Sequence, residues 1–387
     1  MSSKINLYRV LPVLMSFFVM SFVDLVGIGV DRVSLDMNLS PTVAQLIPSV
    51  AFLWFFLLSV PVGVLQSRLG KRFMLNAGML VTALGLFIPF FFYSFATVLL
   101  GFAFLGIGNT IVQVSANPLL VDVVPSNRAS SFLSFSQFIK AVGSMLGAPL
   151  AAVFAVRLGN WKILFLVYGI VSLISVLWLA SVNINESRES EVKASFASAF
   201  RLLGNKFVLL MVLSIFVVVG VDVGFNSNSG QFFINSFGLE QTSAESARSV
   251  YFLGRMLGTF LGALLLTRVA SRKFNVWTTI LGILGFVALL LLRSEAAAWI
   301  LTFFIGLTVA NIFPLVFSIA VDEYPGRKNE ISGLMMMAIS GGAVIPLLMG
   351  WVTDISTNLF GMSVLLACMI YLLAASVYAA RYHAMKR

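Results

Sequence analysis

The sequence predicts an all-α integral membrane protein with twelve transmembrane helices, arranged as two six-helix bundles related by a parallel repeat. Three observations lead to this prediction: regularly spaced apolar stretches, positive charge in alternate connections, and an internal repeat at 200 residues. Of the 387 residues, 59% are hydrophobic and 10% are charged, and the mean hydropathy is +1.00. Because soluble domains are roughly one quarter charged, this composition argues against a water-soluble fold.

Twelve apolar stretches come close to the length of a spanning helix, which is about 20 residues for a hydrocarbon core about 30 Å thick. The first stretch follows a short basic N-terminus, but it contains Asp24 and lacks a small-residue cleavage site, which favours a retained helix over a signal peptide. The predicted helices, separated by charges, Pro and Gly, cover residues 10–30, 42–66, 73–94, 96–123, 129–155, 162–182, 207–235, 245–268, 274–293, 297–321, 330–353 and 359–381.

Positive charge predicts the orientation. With the N-terminus inside, 18 Lys and Arg residues fall in cytoplasmic segments, and five fall on the opposite face: Arg32, Arg157, Lys162, Arg248 and Arg293. Cytoplasmic connections carry the excess of basic residues, so both termini are predicted to be cytoplasmic. Short connections favour a bacterial inner membrane. The net charge of +10 is therefore explained by basic residues that orient the protein in the membrane. We expect membrane lipids as partners and no nucleic acid.

A repeat appears when the second half is moved back by 200 positions. The matches fall in the same two connections of each half, and with an even number of helices per half both copies keep the same orientation. We expect an N-terminal bundle over residues 1–182, a cytoplasmic linker over residues 183–206 and a C-terminal bundle over residues 207–387. Repeats of this kind hold a small solute near the midplane, which predicts a carrier. The matched pairs are Arg68 and Arg268, Arg72 and Arg272, Asp122 and Asp322, Pro125 and Pro325, and Arg128 and Lys328.

The connection after the second predicted helix, GVLQSRLGKR from Gly63, resembles the signature loop of the major facilitator superfamily, with Ser67 in place of the usual acid. Three further segments resemble its fucose, glucose and galactose proton-symporter family. They are GIGNTIVQVSANPLLVDVVP from Gly106, YFLGRMLGTFLGALLL from Tyr251, and NIFPLVFSIAV from Asn311 with the later ISGLMMMAISGGAVIPLLMG. The resemblance implies proton-coupled symport of a monosaccharide or sugar derivative by alternating access. It also implies a gating role for Arg68, Lys71 and Arg72.

The same resemblance implies the site residues. The acid of the first helix matches Asp24, and the acid of the seventh corresponds to Asp222. The glutamate of the fourth helix is replaced by Gln113, before Asn117. In the fifth helix, Gln137 is kept and the asparagine three residues later is Lys140.

Four charged residues lie well inside predicted helices, away from their ends, where insertion costs about 2.5–3.5 kcal/mol each: Asp24, Lys140, Asp222 and Arg255. We expect Asp24 and Asp222 to couple transport to protons, and Arg255 to pair with Asp222 and respond to the state of the C-terminal half. The alternatives are structural ion pairs, Asp24 with Lys140 and Asp222 with Arg255. A sodium ion could use the same carboxylates.

Amide side chains suit a solute rich in hydroxyl groups, because each amide both donates and accepts hydrogen bonds. We expect Gln113, Asn117, Gln137, Asn228 and Asn311 to bind substrate together with Lys140. Hydrogen bonding between helices is an equally weighted alternative for Gln113 and Asn117, and a break in the seventh helix is the alternative for Asn228. Relative to the family pattern, Gln113 and Lys140 add two positive charges. This change favours an acidic sugar or another small organic anion as the alternative substrate.

Three other functions stand as alternatives: a metabolite or drug efflux pump, a solute receptor and a membrane enzyme. The sequence contains no metal-ligand spacing, nucleophile motif or phosphate-binding loop, so we expect neither an enzyme nor a cofactor. Cys368 is the only cysteine, which excludes an intramolecular disulfide. We expect a monomer.

Overall fold

The computed structural model describes residues 6–125, 129–184, 186, 200–266 and 268–386, and every regular element in these ranges is a helix. Twelve long helical segments follow one another within them. They are α1 (Leu7–Met37), α2 (Pro41–Leu69), α3 (Lys71–Phe91), α4 (Phe95–Val123), α5 (Ala129–Leu158), α6 (Ile163–Ser181), α7 (Lys206–Phe237), α8 (Gln241–Leu265), α9 (Ser271–Leu291), α10 (Glu295–Glu323), α11 (Glu330–Ile355) and α12 (Asn358–Lys386).

The predicted helices are confirmed in number and order. Eleven of the described segments are long and apolar enough to cross a membrane. The twelfth, α8, has a sufficient length of 25 residues, but Glu245, Arg248 and Arg255 make it more polar. The largest difference in bounds is at α1, which was expected to end near residue 30 and continues to Met37.

Several of these segments are interrupted at polar or small residues. In α1, a 3₁₀ stretch over Ser21–Leu25 separates the helices Leu7–Met20 and Val26–Met37. In α10, the helix breaks between Val309 and Ile312, next to Asn311. Short 3₁₀ stretches inside a helix have poorer hydrogen-bond geometry and often mark hinges. The break in α1 contains Asp24, which places the predicted proton-coupling acid at a weak point of its helix.

The chain forms two compact units. Unit 1 comprises Met1–Val26 and Leu53–Lys193, and unit 2 comprises Gly27–Phe52 and Ala194–Arg387. The later part of α1 and the start of α2 therefore belong to the unit that contains α7 to α12. Most of the predicted linker, residues 183–206, lies outside the described residues, and the predicted domain bounds stay a prediction.

Glycines bring the helices close together within each unit. In unit 1, a Cβ atom added to Gly85 of α3 would lie 2.6 Å from the carbonyl oxygen of Gly101 in α4, and the reverse distance is also 2.6 Å. In unit 2, Cβ atoms at Gly254 and Gly258 of α8 would overlap backbone oxygens of α10. Small residues at such crossings allow the backbone contact that stabilises helix pairs in lipid.

The repeat is visible in the contacts inside each unit. In unit 1, the Nε atom of Arg72 donates to the carbonyl oxygen of Leu179 at 3.2 Å. In unit 2, the Nη1 atom of Arg272 donates to the carbonyl oxygen of Ala379 at 2.8 Å. Both donors and both acceptors are separated by 200 positions, so the sequence repeat corresponds to a repeated contact.

Candidate functional site

The polar centre of unit 1 lies at the interruption of α1. The Ser144 hydroxyl of α5 donates to the Asp24 carboxylate at 2.5 Å and lies 3.1 Å from the Lys140 carbonyl oxygen of its own helix. Gly143 lets the two helices approach here, because a Cβ atom in its place would overlap the Ser21 hydroxyl. A neutral hydroxyl group is therefore one partner of this carboxylate.

A row of amides on α4 reaches the same part of α1. Asn109, Gln113 and Asn117 are spaced four residues apart, which puts them on one face of the helix. Asn109 is buried and donates to the carbonyl oxygen of Met20 at 2.6 Å, directly before the 3₁₀ stretch. Gln113 donates to the Asn109 side chain at 3.3 Å, and both Gln113 and Asn117 are half-buried.

A second polar row runs along α5. Gln137, Lys140 and Ser144 are three and four residues apart, so they also share one face. Gln137 is exposed, Lys140 is half-buried, and Ser144 is the member that contacts Asp24. The two rows are tied to α1 on either side of residues 21–23, through Met20 and Asp24.

Unit 1 therefore carries a carboxylate on α1, a row of amides on α4, and a row with an amide, a lysine and a hydroxyl on α5. The residues are Asp24, Asn109, Gln113, Asn117, Gln137, Lys140 and Ser144. Amides and hydroxyls bind sugar-like hydroxyl groups, and the lysine adds affinity for an anionic group. Asn109 and Ser144 were not predicted from the sequence. The four-residue spacing of Asn109 from Gln113 was the available signal.

The predicted charged residues of unit 2 form an ion pair. The Nη1 atom of Arg255 in α8 lies 2.5 Å from the Oδ2 atom of Asp222 in α7, and their side chains are 27% and 23% exposed. The Tyr251 hydroxyl donates to the other carboxylate oxygen at 2.8 Å. This partial exposure leaves the pair open to water or a ligand. The predicted pairing is present, and its functional assignment is a prediction.

The two predicted substrate-binding amides of unit 2 are bound to protein groups. Asn228 donates to the carbonyl oxygen of Gly224 at 2.9 Å and accepts from Gln45 at 3.1 Å. Asn311 donates to the carbonyl oxygen of Gly258 at 2.7 Å, next to Gly262. Both side chains are 5% exposed. This geometry favours a structural role for these two amides, which sequence analysis did not assign to them.

The predicted gating loop holds the beginning of α3 in place. The Glu186 carboxylate accepts from the backbone amides of Lys71 at 2.5 Å and Arg72 at 3.0 Å, which satisfies unpaired groups at a helix N-terminus. The Lys71 ammonium lies 2.9 Å from Asp122, and Arg68 is exposed at the end of α2. Glu186 and Asp122 are the acids that sequence reasoning did not assign to this loop.

Four buried charged residues of unit 2 were also missed. They form what we call the charge quartet: Asp31 and Arg32 of α1, and Glu245 and Arg248 of α8. Arg248 forms an ion pair with Asp31, and the Nε atom of Arg32 lies 2.5 Å from Glu245. The four side chains are at most 9% exposed. The prediction that α1 ends near residue 30 was wrong: Asp31 and Arg32 lie within the helix, where each is paired with a charged residue of α8. The expected position of Arg32 and Arg248 on the outer face stays a prediction.

Comparison with known proteins places the chain in a family. Residues 13–346 match the model of the Major Facilitator Superfamily. The chain is 27% identical over 341 residues to a glucose/galactose transporter of Brucella abortus biovar 1 (strain 9-941), covering 82% of this chain and 80% of the relative. It is 26% identical over 382 residues to a putative glucose/galactose transporter of Helicobacter pylori (strain J99), covering 92% and 93% of the two chains.

The fold is shared with solved transporters. A crystal structure of the fucose:proton symporter of E. coli superposes with a TM-score of 0.70 at 16% identity. The superposition covers 97% of this chain and 99% of the symporter. With twelve described helices, an internal repeat and a family match over most of its length, the chain belongs to the major facilitator superfamily and is a membrane transporter, not an enzyme.

Proposed function

We propose that this protein is a monomeric secondary transporter that carries a monosaccharide or sugar derivative together with a proton, by alternating access, across a bacterial inner membrane. Both termini lie in the cytoplasm in this proposal. The observation that carries it is the position of Asp24, an acid at the 3₁₀ interruption of α1 that is bonded to Ser144.

The Ser144 hydroxyl suits an acid that gains and loses a proton. A hydroxyl group can donate to a carboxylate, and after rotation it can accept from the protonated acid. The Asp24–Ser144 contact could therefore persist in both states.

The sugar assignment rests on the polar rows of unit 1 and on the relatives. Gln113, Asn117 and Gln137 offer both donors and acceptors, and none of them is fully buried. The relatives from Brucella and Helicobacter are described as glucose/galactose transporters, the latter as putative. A neutral hydroxylated ring is the solute that these amides suit best.

Lys140 supports a second candidate substrate, an acidic sugar or another small organic anion. The lysine is half-buried and lies one helical turn before Ser144, on the face that reaches Asp24. Coulombic attraction is stronger where water is excluded, so a lysine in this position favours a negatively charged group.

Uptake into liposomes distinguishes these functions. Purified protein is reconstituted, and uptake of labelled neutral and acidic sugars is measured with and without an inward proton gradient. We expect sugar accumulation that requires the gradient and collapses when a protonophore is added. Equal uptake with and without the proton gradient would contradict proton coupling. Repeating the measurement with an inward sodium gradient tests whether sodium is the coupled ion.

Two substitutions assign the roles. Asp24→Asn should abolish accumulation driven by the gradient and preserve exchange of sugar in equal concentrations, whereas Asp36→Asn, an exposed acid on the same helix, should change neither. Lys140→Asn should raise the ratio of neutral to acidic sugar uptake, and Lys273→Asn at an exposed position is the matched control. An unchanged ratio in Lys140→Asn would eliminate the anion candidate.

A further inference from the structure

We propose that unit 2 has a solute site of its own, a small pocket at the ends of α1 and α7 that binds a neutral hydroxylated molecule such as a sugar. The pocket has a volume of about 380 Å³, within the range of about 300–1,000 Å³ for small-molecule sites. All its lining residues belong to unit 2, so the pocket lies within one compact unit. The proposal goes beyond the transport function above, because binding in this pocket requires neither proton coupling nor movement of a solute.

Polar and apolar side chains both line the pocket. The polar ones are Ser34 and Asn38 near the end of α1, Gln231 of α7, and Gln241, the first residue of α8. The apolar ones are Leu35, Leu39 and Ile234. Charged side chains are absent from this set of described lining residues. A sugar has hydroxyl groups at its edge and apolar faces on its ring, so this combination of amides, hydroxyl and aliphatic groups suits it.

The two glutamines of the pocket are oriented by acids of the charge quartet. The side-chain nitrogen of Gln241 donates to the Glu245 carboxylate at 2.9 Å, and that of Gln231 approaches the Asp31 carboxylate at 3.5 Å. An amide carries its donors on nitrogen and its acceptor on oxygen. Because each nitrogen is directed at a carboxylate, each oxygen is turned away from it. The oxygen is therefore the atom that each glutamine can offer to a ligand.

Amide oxygens in this orientation select ligands by their donor groups. They accept from hydroxyl groups, whereas an ionised carboxylate has no hydrogen to donate to them. The two arginines of the charge quartet, Arg32 and Arg248, are paired with Glu245 and Asp31, so their charges are compensated before an anion arrives. The pocket should therefore bind a neutral sugar and reject a sugar acid, in contrast to the preference that Lys140 gives to unit 1.

Asn38 supplies a polar side chain that the backbone of its turn does not require. Its φ of 51° lies in the left-handed region, which glycine adopts most easily. The equivalent residue 200 positions later, Gly238, has a φ of 69° in the turn after α7. Glycine thus forms the same kind of turn without a side chain. Asn38→Gly should remove one amide from the pocket and leave the backbone conformation unchanged.

Protection of a cysteine from alkylation tests the pocket without using transport. The native Cys368 is replaced by Ser, and Leu35→Cys serves as reporter because Leu35 lines the pocket and is 58% exposed. Purified protein in lipid nanodiscs is labelled with a maleimide while galactose is titrated. Because only empty pockets react, the labelling rate should fall about tenfold when free galactose is about ten times its Kd. Galacturonate, which has a carboxylate on a similar ring, should not slow the labelling.

Asn235→Cys is the matched control reporter. Asn235 lies 200 positions after Leu35, is exposed and is not one of the residues that line the pocket. Galactose should leave its labelling rate unchanged. In the Leu35→Cys protein, Asn38→Gly should raise the galactose concentration needed for protection by about threefold to tenfold, as expected for one lost hydrogen bond. Ser34→Ala provides a second pocket variant if size-exclusion chromatography shows that Asn38→Gly folds poorly.

Asn117→Ala separates this pocket from the polar rows of unit 1. Protection of Leu35→Cys that persists in Asn117→Ala supports a site in unit 2. Loss of protection in that variant, equal protection of Asn235→Cys, or equal protection by galacturonate would overturn the proposal. Absence of any protection by galactose would also overturn it. Sugar uptake is measured separately, so neither result decides the other.

Discussion

The Ser144 hydroxyl donates to the Asp24 carboxylate at 2.5 Å, and this contact joins α5 to the interrupted part of α1. Hydrogen bonds to charged groups contribute about 1.5–3 kcal/mol, which corresponds to roughly one to two orders of magnitude in an equilibrium constant. We therefore expect Ser144→Ala to lower the initial rate of gradient-driven sugar uptake by about tenfold or more.

Ser144→Thr keeps the hydroxyl group and should retain most of the uptake, so the pair separates loss of the hydrogen bond from a change of packing. Ser136→Ala, on the same helix and bonded only to the carbonyl oxygen of its own turn in the described structure, is the control for a lost serine hydroxyl. Equal uptake by Ser144→Ala and the unsubstituted protein would show that the contact with Asp24 does not contribute to coupling.

Helix positions were predictable because hydropathy and loop charge are local signals. All twelve helices were found, and the repeat matched Arg72 with Arg272, which make equivalent contacts in the structure. The intramembrane charges Asp24 and Lys140 also stood out, since a charge in an apolar stretch is rare. Their neighbours Ser144 and Asn109 did not, because serine and asparagine are common between helices.

The charge quartet could not be predicted from local signals. Asp31 and Arg32 look like the end of a spanning helix, and Glu245 coincides with the beginning of the next predicted stretch. Their partners are 217 and 213 residues away, so only the folded chain reveals that the charges neutralise each other. The one available sequence signal was the spacing of opposite charges: Asp31 and Arg32 are adjacent, and Glu245 and Arg248 are three residues apart in α8.

A second prediction separates stabilising amides from substrate-binding ones on α4. Asn109 is buried and bonded to the Met20 carbonyl oxygen, so Asn109→Ala leaves a buried acceptor unpaired and should cost about 1–3 kcal/mol of stability. Asn117 is half-buried on the same face. Asn117→Ala should raise the KM for sugar with little change in stability.

Thermal unfolding in detergent and the concentration dependence of uptake measure the two effects. We expect a lower melting temperature for Asn109→Ala and a melting temperature close to that of the unsubstituted protein for Asn117→Ala. If both variants lost the same stability and showed the same KM, the proposed division of roles along α4 would be wrong.

A third prediction concerns the crossing of α8 and α10. A Cβ atom at Gly254 would overlap the carbonyl oxygen of Phe303, and overpacking of this kind costs about 1–3 kcal/mol. Gly254→Ala should therefore lower the melting temperature in detergent, while Gly63→Ala should maintain or raise it, since alanine favours a helix by about 1 kcal/mol over glycine. Equal melting temperatures of Gly254→Ala and Gly63→Ala would mean that α8 and α10 can move apart at this crossing without a loss of stability.

The fourth prediction compares a buried ion pair with an exposed one. Lys71 and Asp122 lie 2.9 Å apart, and each side chain is 8% exposed. Removing one partner leaves a buried charge, so Lys71→Met or Asp122→Asn alone should cost about 3–5 kcal/mol, and the double variant should recover much of that loss. Arg327→Ala breaks a pair whose arginine is 52% exposed and should cost less than about 1 kcal/mol. Melting temperatures of the four proteins in the Lys71–Asp122 cycle give the coupling, and additive losses would show that the two charges do not stabilise each other.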